Sequence, residues 1–303
     1  MKKTLSDYLF IRRLNKAFRV FRRLNTNNLK IVLKLIEDFF EEESIKMSQT
    51  TLNGKTLFGI ERDITYNSMV TDTFREPHFK ELVNILLGAQ DNCLDLGANF
   101  GTHTMLMSAI CNKGRVYSFE PQSLVFQCLS LNVYLNKISN VSLFNFAVTS
   151  HSGDLINIEQ IKGDVEQVNS GFSRLIDTSS LHKATTLALD DLTLPKINFI
   201  KMDIQGSELS AIRGMQKLLS RDRPIMFFEV ENVHLVSRGT TALELLDEIE
   251  RNDFIVYRIE NDYPSDHIAV PVEKITEFEA IIAKSAVSKI VVQVNQTKDL
   301  YQD

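Results

Sequence analysis

Two carboxylates and a pair of glycines are the first residues in this sequence whose types and spacing suggest chemistry. In CLDLGANFGTHT, Cys93 to Thr104, a short apolar run reaches Asp95 and then meets Gly97 and Gly101 before a segment that can be helical. Glycines there let the backbone pass close to a ligand seated at the edge of a helix, which is how a nucleotide cradle is built. The dinucleotide and P-loop phosphate motifs are both unmet. The spacing is G-x-x-x-G rather than G-x-G-x-x-G, and no Gly-Lys-Ser/Thr follows. A second strand-like run, Val116-Tyr-Ser-Phe-Glu120, ends in a carboxylate placed to accept hydrogen bonds from both hydroxyls of a ribose. Residues 95–104 contain no Lys or Arg to meet a phosphate, and Asp95 suits a cationic amino group. A ligand with an adenosine ribose, an ammonium and no phosphate is S-adenosylmethionine. Gly97, Asn99, Gly101 and Thr102 in the loop, Ala147 after the third strand, and Asp203 after the fourth complete the expected cofactor contacts, with Phe100, His103 and Asn145 close by.

Methyl transfer from a sulfonium is an in-line displacement, so alignment supplies much of the rate. A hydroxyl acceptor also needs help to lose its proton. Asp203 fits as the general base or as ligand to a divalent cation, and the sequence leaves that choice open. Asp190 and Asp191 offer further oxygens to a cation. Lys201 can pair with Asp203 or Glu229 across neighbouring strand ends and lower the acids' pKa. Glu229, Glu231 and His234 follow the fifth strand, Glu208 sits in the first turn of the helix after the fourth strand, and His182 lies on an irregular stretch. Amino-directed nucleic-acid methylation calls for Asn/Asp-Pro-Pro-aromatic after the fourth strand, and Asp203-Ile-Gln-Gly206 has neither proline nor ring. An RNA-directed enzyme is therefore the second reading. A non-catalytic cofactor-binding protein and a dehydrogenase follow it.

These residues must be placed by strands and helices. Short apolar runs predict strands at 92–96, 115–119, 141–146, 197–202, 224–229, 254–259 and 288–294, separated by helices near 102–112, 122–136, 207–220, 241–251 and 273–285. That alternation predicts an α/β fold with a seven-stranded, mostly parallel sheet covered by helices on both faces. Upstream, Asn53-Gly54 marks a hairpin over 51–58, and Glu76-Pro77 opens a helix to about Leu87. The region 151–190 is irregular and is read as an inserted hairpin or a loop. The division expected is an N-terminal extension over 1–50, a lead-in hairpin and helix over 51–90, and a catalytic domain over 91–303.

The 303 residues are 44% hydrophobic and 24% charged, enough for a sizeable core and incompatible with a disordered chain. Charge is unevenly placed. Residues 1–36 carry ten Lys/Arg against Asp7 alone, a net +9 that leaves −14 for the remainder of a chain whose total is −5. Phe10, Leu14, Ala17, Phe21 and Leu24 recur at helical spacing among Arg12, Arg13, Lys16, Arg19, Arg22 and Arg23, so one face is apolar and the other cationic. Over residues 1–26 that stripe suits packing on the domain or on a second subunit, peripheral contact with an anionic membrane or a lipid-linked glycan, or, last, nucleic acid. Cys93, Cys111 and Cys128 read as core thiols of a reducing cytosol, with no CxxC and no His at metal-ligand spacing. A cytoplasmic protein, held at most peripherally at the inner membrane face, is expected.

DLGANFGTHT, SFEP, NFAVTSHSGD, TTLALDDL, INFIKMDIQGSEL and RPIMFFEVE, in that order over about 73–260, resemble the successive motifs of the FkbM-type S-adenosylmethionine-dependent methyltransferases. The resemblance implies a Rossmann-like class I fold and methylation of a hydroxyl oxygen, often on a sugar or polyketide. The acceptor expected is therefore hydroxyl-bearing and carbohydrate in kind, with an RNA or another macromolecule as the alternative. The family often has Glu where this chain has Gln205, and residues 1–50 lie outside the resemblance.

Overall fold

The computed structural model describes residues 47–294 apart from 53, 62, 64, 68–75, 159–181 and 261–265. The basic stripe of residues 1–26 lies outside the described residues, as does the side chain of His182. Among the described residues no helix is long and apolar enough to cross a membrane.

A hairpin comes first, β1 (Met47–Leu52) and β2 (Lys55–Ile60), with Leu52 opposite Lys55 across a two-residue connection. Gly54, at φ +75°, takes the left-handed conformation that such a turn requires. Helix α1 (Pro77–Leu86) begins with Pro in its first turn, where the missing N–H costs nothing. There follow β3 (Asn92–Leu96), α2 (Thr102–Ile110), β4 (Arg115–Phe119), α3 (Ser123–Leu135), β5 (Val141–Phe144), β6 (Ala147–Val148), β7 (Leu155–Ile158) and β8 (His182–Leu187). The chain continues through β9 (Phe199–Met202), α4 (Glu208–Arg213), α5 (Gln216–Asp222), β10 (Ile225–Glu229), α6 (Asn232–Ser237), α7 (Ala242–Arg251), β11 (Phe254–Ile259), β12 (Asp266–Pro271), α8 (Ile275–Ile282) and β13 (Val291–Gln293).

The main sheet has eight strands, in the order β13-β11-β12-β10-β9-β3-β4-β5. From β10 to β5 the pairs are parallel, while β12 runs antiparallel between β10 and β11, and β13 pairs antiparallel with β11. The expected seven strands are thus eight, because β12 was missed: its polar opening, Asp266-His267, hides a strand whose six residues are all buried. The predicted helix over 207–220 is two. Gly214 ends the first, and a Cβ there would lie 2.0 Å from the Thr149 carbonyl oxygen, so the break follows from how closely the chains pass. Helix α6 was not foreseen. In the irregular region β7 pairs antiparallel with β8, and β6 joins β8 in a small second sheet.

Alternation along the central strands divides the core. Phe199, Phe227 and Cys93 pack on one face with Phe79 of α1, and Leu94, Ile200, Met226 and Phe228 pack on the other with Leu245 and Ile249 of α7. Helix α7 carries its own start signal, a capping box in which the Glu244 N–H donates to Thr241 Oγ1 at 3.2 Å and the Thr241 N–H donates to Glu244 Oε2 at 2.8 Å. The hairpin is fastened to α3 by two asparagines one turn apart. Asn132 Oδ1 accepts from the Phe58 N–H at 2.6 Å, and Asn136 Oδ1 accepts from the Thr56 N–H at 2.9 Å. Strand order reverses between β3 and β9, and in open α/β sheets that point opens the ligand crevice.

Candidate functional site

The loop after β3 crosses the carboxyl end of the sheet in a conformation set by three residues of positive φ: Gly97 (+77°), Asn99 (+49°) and Gly101 (+92°). A Cβ on Gly97 would lie 1.8 Å from the Asp203 carbonyl oxygen, so only glycine lets the loop pass the tip of β9. The Gly97 and Ala98 N–H groups donate to the Phe119 carbonyl at 3.0 and 2.9 Å, which ties the loop to the end of β4. Asn132 of α3 donates to the Phe100 carbonyl at 2.8 Å from below.

Glu120, at the end of β4, is buried and lines a cleft that opens to solvent. Its Oε2 accepts from the Asn99 N–H at 3.0 Å and its Oε1 from the Gln122 N–H at 2.9 Å. Burial pushes this carboxyl up to about 7, against those two backbone hydrogen bonds. Gly97, Asn99, Ala147 and Asp203 line the same cleft, with Phe146, Val148, Ile156 and Ile158 forming apolar wall and Arg238 at its edge. Asn145 does not join them. Its amide donates to the Glu120 and Pro121 carbonyls at 2.7 and 3.0 Å, holding the strand end in place.

Asp95 sits elsewhere than expected. It is fully buried and does not line the cleft: Thr104 Oγ1 donates to its Oδ2 at 2.5 Å, and Lys201 Nζ stands 3.6 Å from its Oδ1. The reason is register, for Asp95 lies between Ser118 and Lys201 on the two flanking strands. Gly101 and Thr102 close the loop and start α2 without reaching the cleft wall. Lys201 is also behind that wall. Its ammonium donates to the Gly97 carbonyl at 2.9 Å and faces Asp203 Oδ2 at 3.8 Å. Burial works against that charge, but Asp95, Asp203, Glu76 and Glu229 outweigh it and hold the lysine pKa above its usual value.

Asp203 is the outlet of this network, with 40% of its side chain exposed. Gln205, at φ +54°, turns its amide back so that Nε2 donates to Asp203 Oδ1 at 2.8 Å and to Glu229 Oε2 at 3.2 Å. Glu229 itself is buried behind the cleft, across the ladder from Asp266. Other sequence candidates do local work. The Asp190 carboxylate accepts from the Lys217 and Leu218 N–H groups at 2.9 and 3.0 Å, and Asp191 accepts from Ser152 Oγ at 2.5 Å. Neither turns toward Asp203. His234 Nε2 lies 2.5 Å from Glu231 Oε2 within α6 and its approach. Glu208 accepts from the Ile204 N–H at 3.0 Å, and burial pushes its carboxyl up to about 7.

The sequence reading missed a group at the same end of the sheet: Glu76 and His78 at the start of α1 with Asp266 at the start of β12. His103, beside them, brings Nε2 to 3.2 Å from Glu76 Oε2. The separation of 188 residues between His78 and Asp266 hides them from any reading of local spacing.

The profile of the family described as "Methyltransferase FkbM domain" matches residues 95–256, more than half of the chain. The chain belongs to the FkbM methyltransferase family. A curated relative, the hexuronic acid methyltransferase AglP of Haloferax volcanii, is 25% identical over 200 residues, covering 60% of this chain and 78% of that protein. Among solved structures, Methyltransferase FkbM from Methylobacillus flagellatus KT gives a TM-score of 0.43 at 19% identity, over 61% of this chain and 44% of that one. The chain thus spans less than half the length of that structure. M. jannaschii TYW2, solved in complex with AdoMet, gives a TM-score of 0.41 at 13% identity over 75% of this chain and 84% of that one.

S-adenosylmethionine, the methyl donor of such enzymes, fits the donor set of this cleft. A buried carboxylate with spare lone pairs suits a diol, an apolar wall suits a purine, and a half-exposed carboxylate suits a sulfonium.

Proposed function

We propose that the methyltransferase transfers a methyl group to a hydroxyl oxygen of a sugar or glycan. Asp203 is the base, and Glu120, Gly97, Asn99 and Ala147 form the cofactor seat. The observation that carries this reading is Asp203, the one carboxylate of the Lys201 network that lines the cleft with much of its side chain exposed. AglP, by its name, methylates a hexuronic acid, which supports a carbohydrate acceptor.

Bound S-adenosylmethionine supplies an electrophilic methyl carbon. Glu120 accepts from the ribose hydroxyls through the lone pairs its two backbone partners leave over. The loop 97–101 fixes the position of what lies on it, because its backbone is tied to β4 and α3. Asp203 takes the proton of the acceptor hydroxyl, and Gln205 orients its carboxylate by holding Oδ1. Lys201 and the fully buried Asp95 sit behind as positioning residues: the ammonium holds the Gly97 carbonyl on one side and faces Asp203 on the other.

The test uses purified full-length protein with S-adenosylmethionine and a panel of neutral sugars and uronic acids, read by mass for the gain of one methyl. A product stable to mild alkali is an ether and is expected; an alkali-labile methyl ester would overturn the hydroxyl assignment. Asp203→Asn is expected to slow transfer about 10²- to 10⁴-fold while S-adenosylhomocysteine still binds by calorimetry. Retained turnover would remove Asp203 from the role of base.

A further inference from the structure

Beyond the cleft, the carboxyl end of the sheet carries a second group of polar side chains that the cofactor seat does not use. Asp266 opens β12 directly across the ladder from Glu229. Its Oδ2 lies 2.6 Å from Nε2 of His78, which comes from the first turn of α1, and each of these side chains is only 7% exposed. Glu76, the residue before α1, turns its carboxylate into the same group. One donor atom from each of Glu76, His78 and Asp266 lies within 4.8 Å of the others.

The surrounding charge is unbalanced. Lys201 is the permanent cation that Asp95, Asp203, Glu76 and Glu229 face together, and Asp266 feels Glu76 and Asp203 besides. Bringing buried like charges such as Asp95, Glu229 and Asp266 close together is expensive unless a further positive charge is shared among them. His103 is placed to steady one member, since its Nε2 approaches Glu76 Oε2 at 3.2 Å and its ring packs edge-on against Phe79.

We infer that Glu76, His78 and Asp266 bind one divalent transition-metal cation of the Mn²⁺ or Zn²⁺ kind. An imidazole nitrogen with two carboxylate oxygens is a donor set for such ions rather than for Ca²⁺ or Mg²⁺, which prefer oxygen alone. Metal–ligand bonds of about 2.1 Å place ligand atoms roughly 3–4 Å apart. The donor atoms of this group lie within 4.8 Å of one another, so a small closing of the wider separations and an opening of the 2.6 Å between His78 and Asp266 bring them to that spacing. Three protein donors leave coordination positions for water or for an oxygen of the acceptor. Through Asp266 and Glu229 the ion lies one strand from the carboxylates that Gln205 joins. Its use in holding an acceptor rests on the methyl-transfer reading; its binding does not.

The experiment titrates chelator-treated, dialysed full-length protein with Mn²⁺, followed by the paramagnetic resonance signal of the free ion, and repeats the titration with Zn²⁺ by calorimetry. One ion per chain is expected, with affinity reduced at least tenfold in His78→Ala and in Asp266→Asn, and retained in Asp203→Asn. S-adenosylhomocysteine binding, measured on the same samples, reports the fold and the cofactor seat separately. If either buried variant fails that control, Glu76→Gln, at a more exposed carboxylate, decides by the same criterion. Absence of saturable binding of both ions overturns the site. So does binding that survives loss of His78 or Glu76 but vanishes in Asp203→Asn, which would move the ion to the tips of β9 and β10.

Discussion

The two halves of the carboxyl end of the sheet solve their problems differently. On the side of β3 and β4 the work is done by backbone: N–H groups of Asn99 and Gln122 hold Glu120, and positive-φ residues shape the loop around a place where no Cβ fits. On the side of β9, β10 and β12 it is done by side chains: the Gln205 amide joins Asp203 to Glu229, the Lys201 ammonium faces several acids, and His78 meets Asp266. A backbone-built seat tolerates little change of residue and is well suited to an invariant ligand. A side-chain-built surface can be retuned one substitution at a time.

That contrast breaks most visibly at Gly97. Gly97→Ala forces a Cβ against the Asp203 carbonyl at a backbone angle that alanine resists. Calorimetry is expected to show S-adenosylhomocysteine affinity down about 100-fold or a loss of several kcal/mol of stability; near-normal binding would mean the loop is not rigid. A smaller effect is expected on the other side. Gln205→Glu replaces the joining amide with a third carboxylate beside Asp203 and Glu229, so the acid limb of the pH–rate profile is expected to move up by about one unit or more with cofactor affinity little changed. An unmoved profile would separate Gln205 from the base.

The next test is confined to the cofactor half. Because the Glu120 carboxyl is pushed up to about 7 by burial, only its charged form, dominant above that pH, accepts fully from a ribose diol. Affinity for S-adenosylhomocysteine is expected to fall up to tenfold per unit as pH drops below about 7, and Glu120→Gln to remove the dependence. The smallest effect falls at the seam. Glu208 is raised to about 7 in the folded state, so the folded chain holds its proton more tightly than the unfolded one. The associated stability is fully present below the ordinary carboxyl range and is lost as pH rises through 7. Relative to Glu208→Gln, denaturant melts of the native chain are expected to lose on the order of 1–3 kcal/mol between pH 5 and 8.

The same division explains what could be read without a structure. That Asp95 and Glu120 stand at strand ends with Gly97 and Gly101 shaping the turn between was legible, because one strand, one turn and the next strand hold them at fixed spacing. Even so, Asp95 was placed at the ligand when Thr104 and Lys201 enclose it. Thr104, three residues past Gly101, was the available signal, a hydroxyl on the buried face of α2. β9 and β10 announced themselves as apolar runs, whereas β12 begins Asp266-His267 and looks like loop until its pairing with β10 and β11 is known. Asp190 looked free to bind a cation, but it caps α5, a helix whose separate start depends on the break at Gly214. The Glu76, His78 and Asp266 group has no local signature.

Asn132 joins the two ends of this logic. One amide donates to the carbonyls of Phe58, in the hairpin, and Phe100, in the loop after β3. The hairpin and the loop after β3 therefore share one fastening. A load on the hairpin is therefore carried, at one remove, into the loop that follows β3.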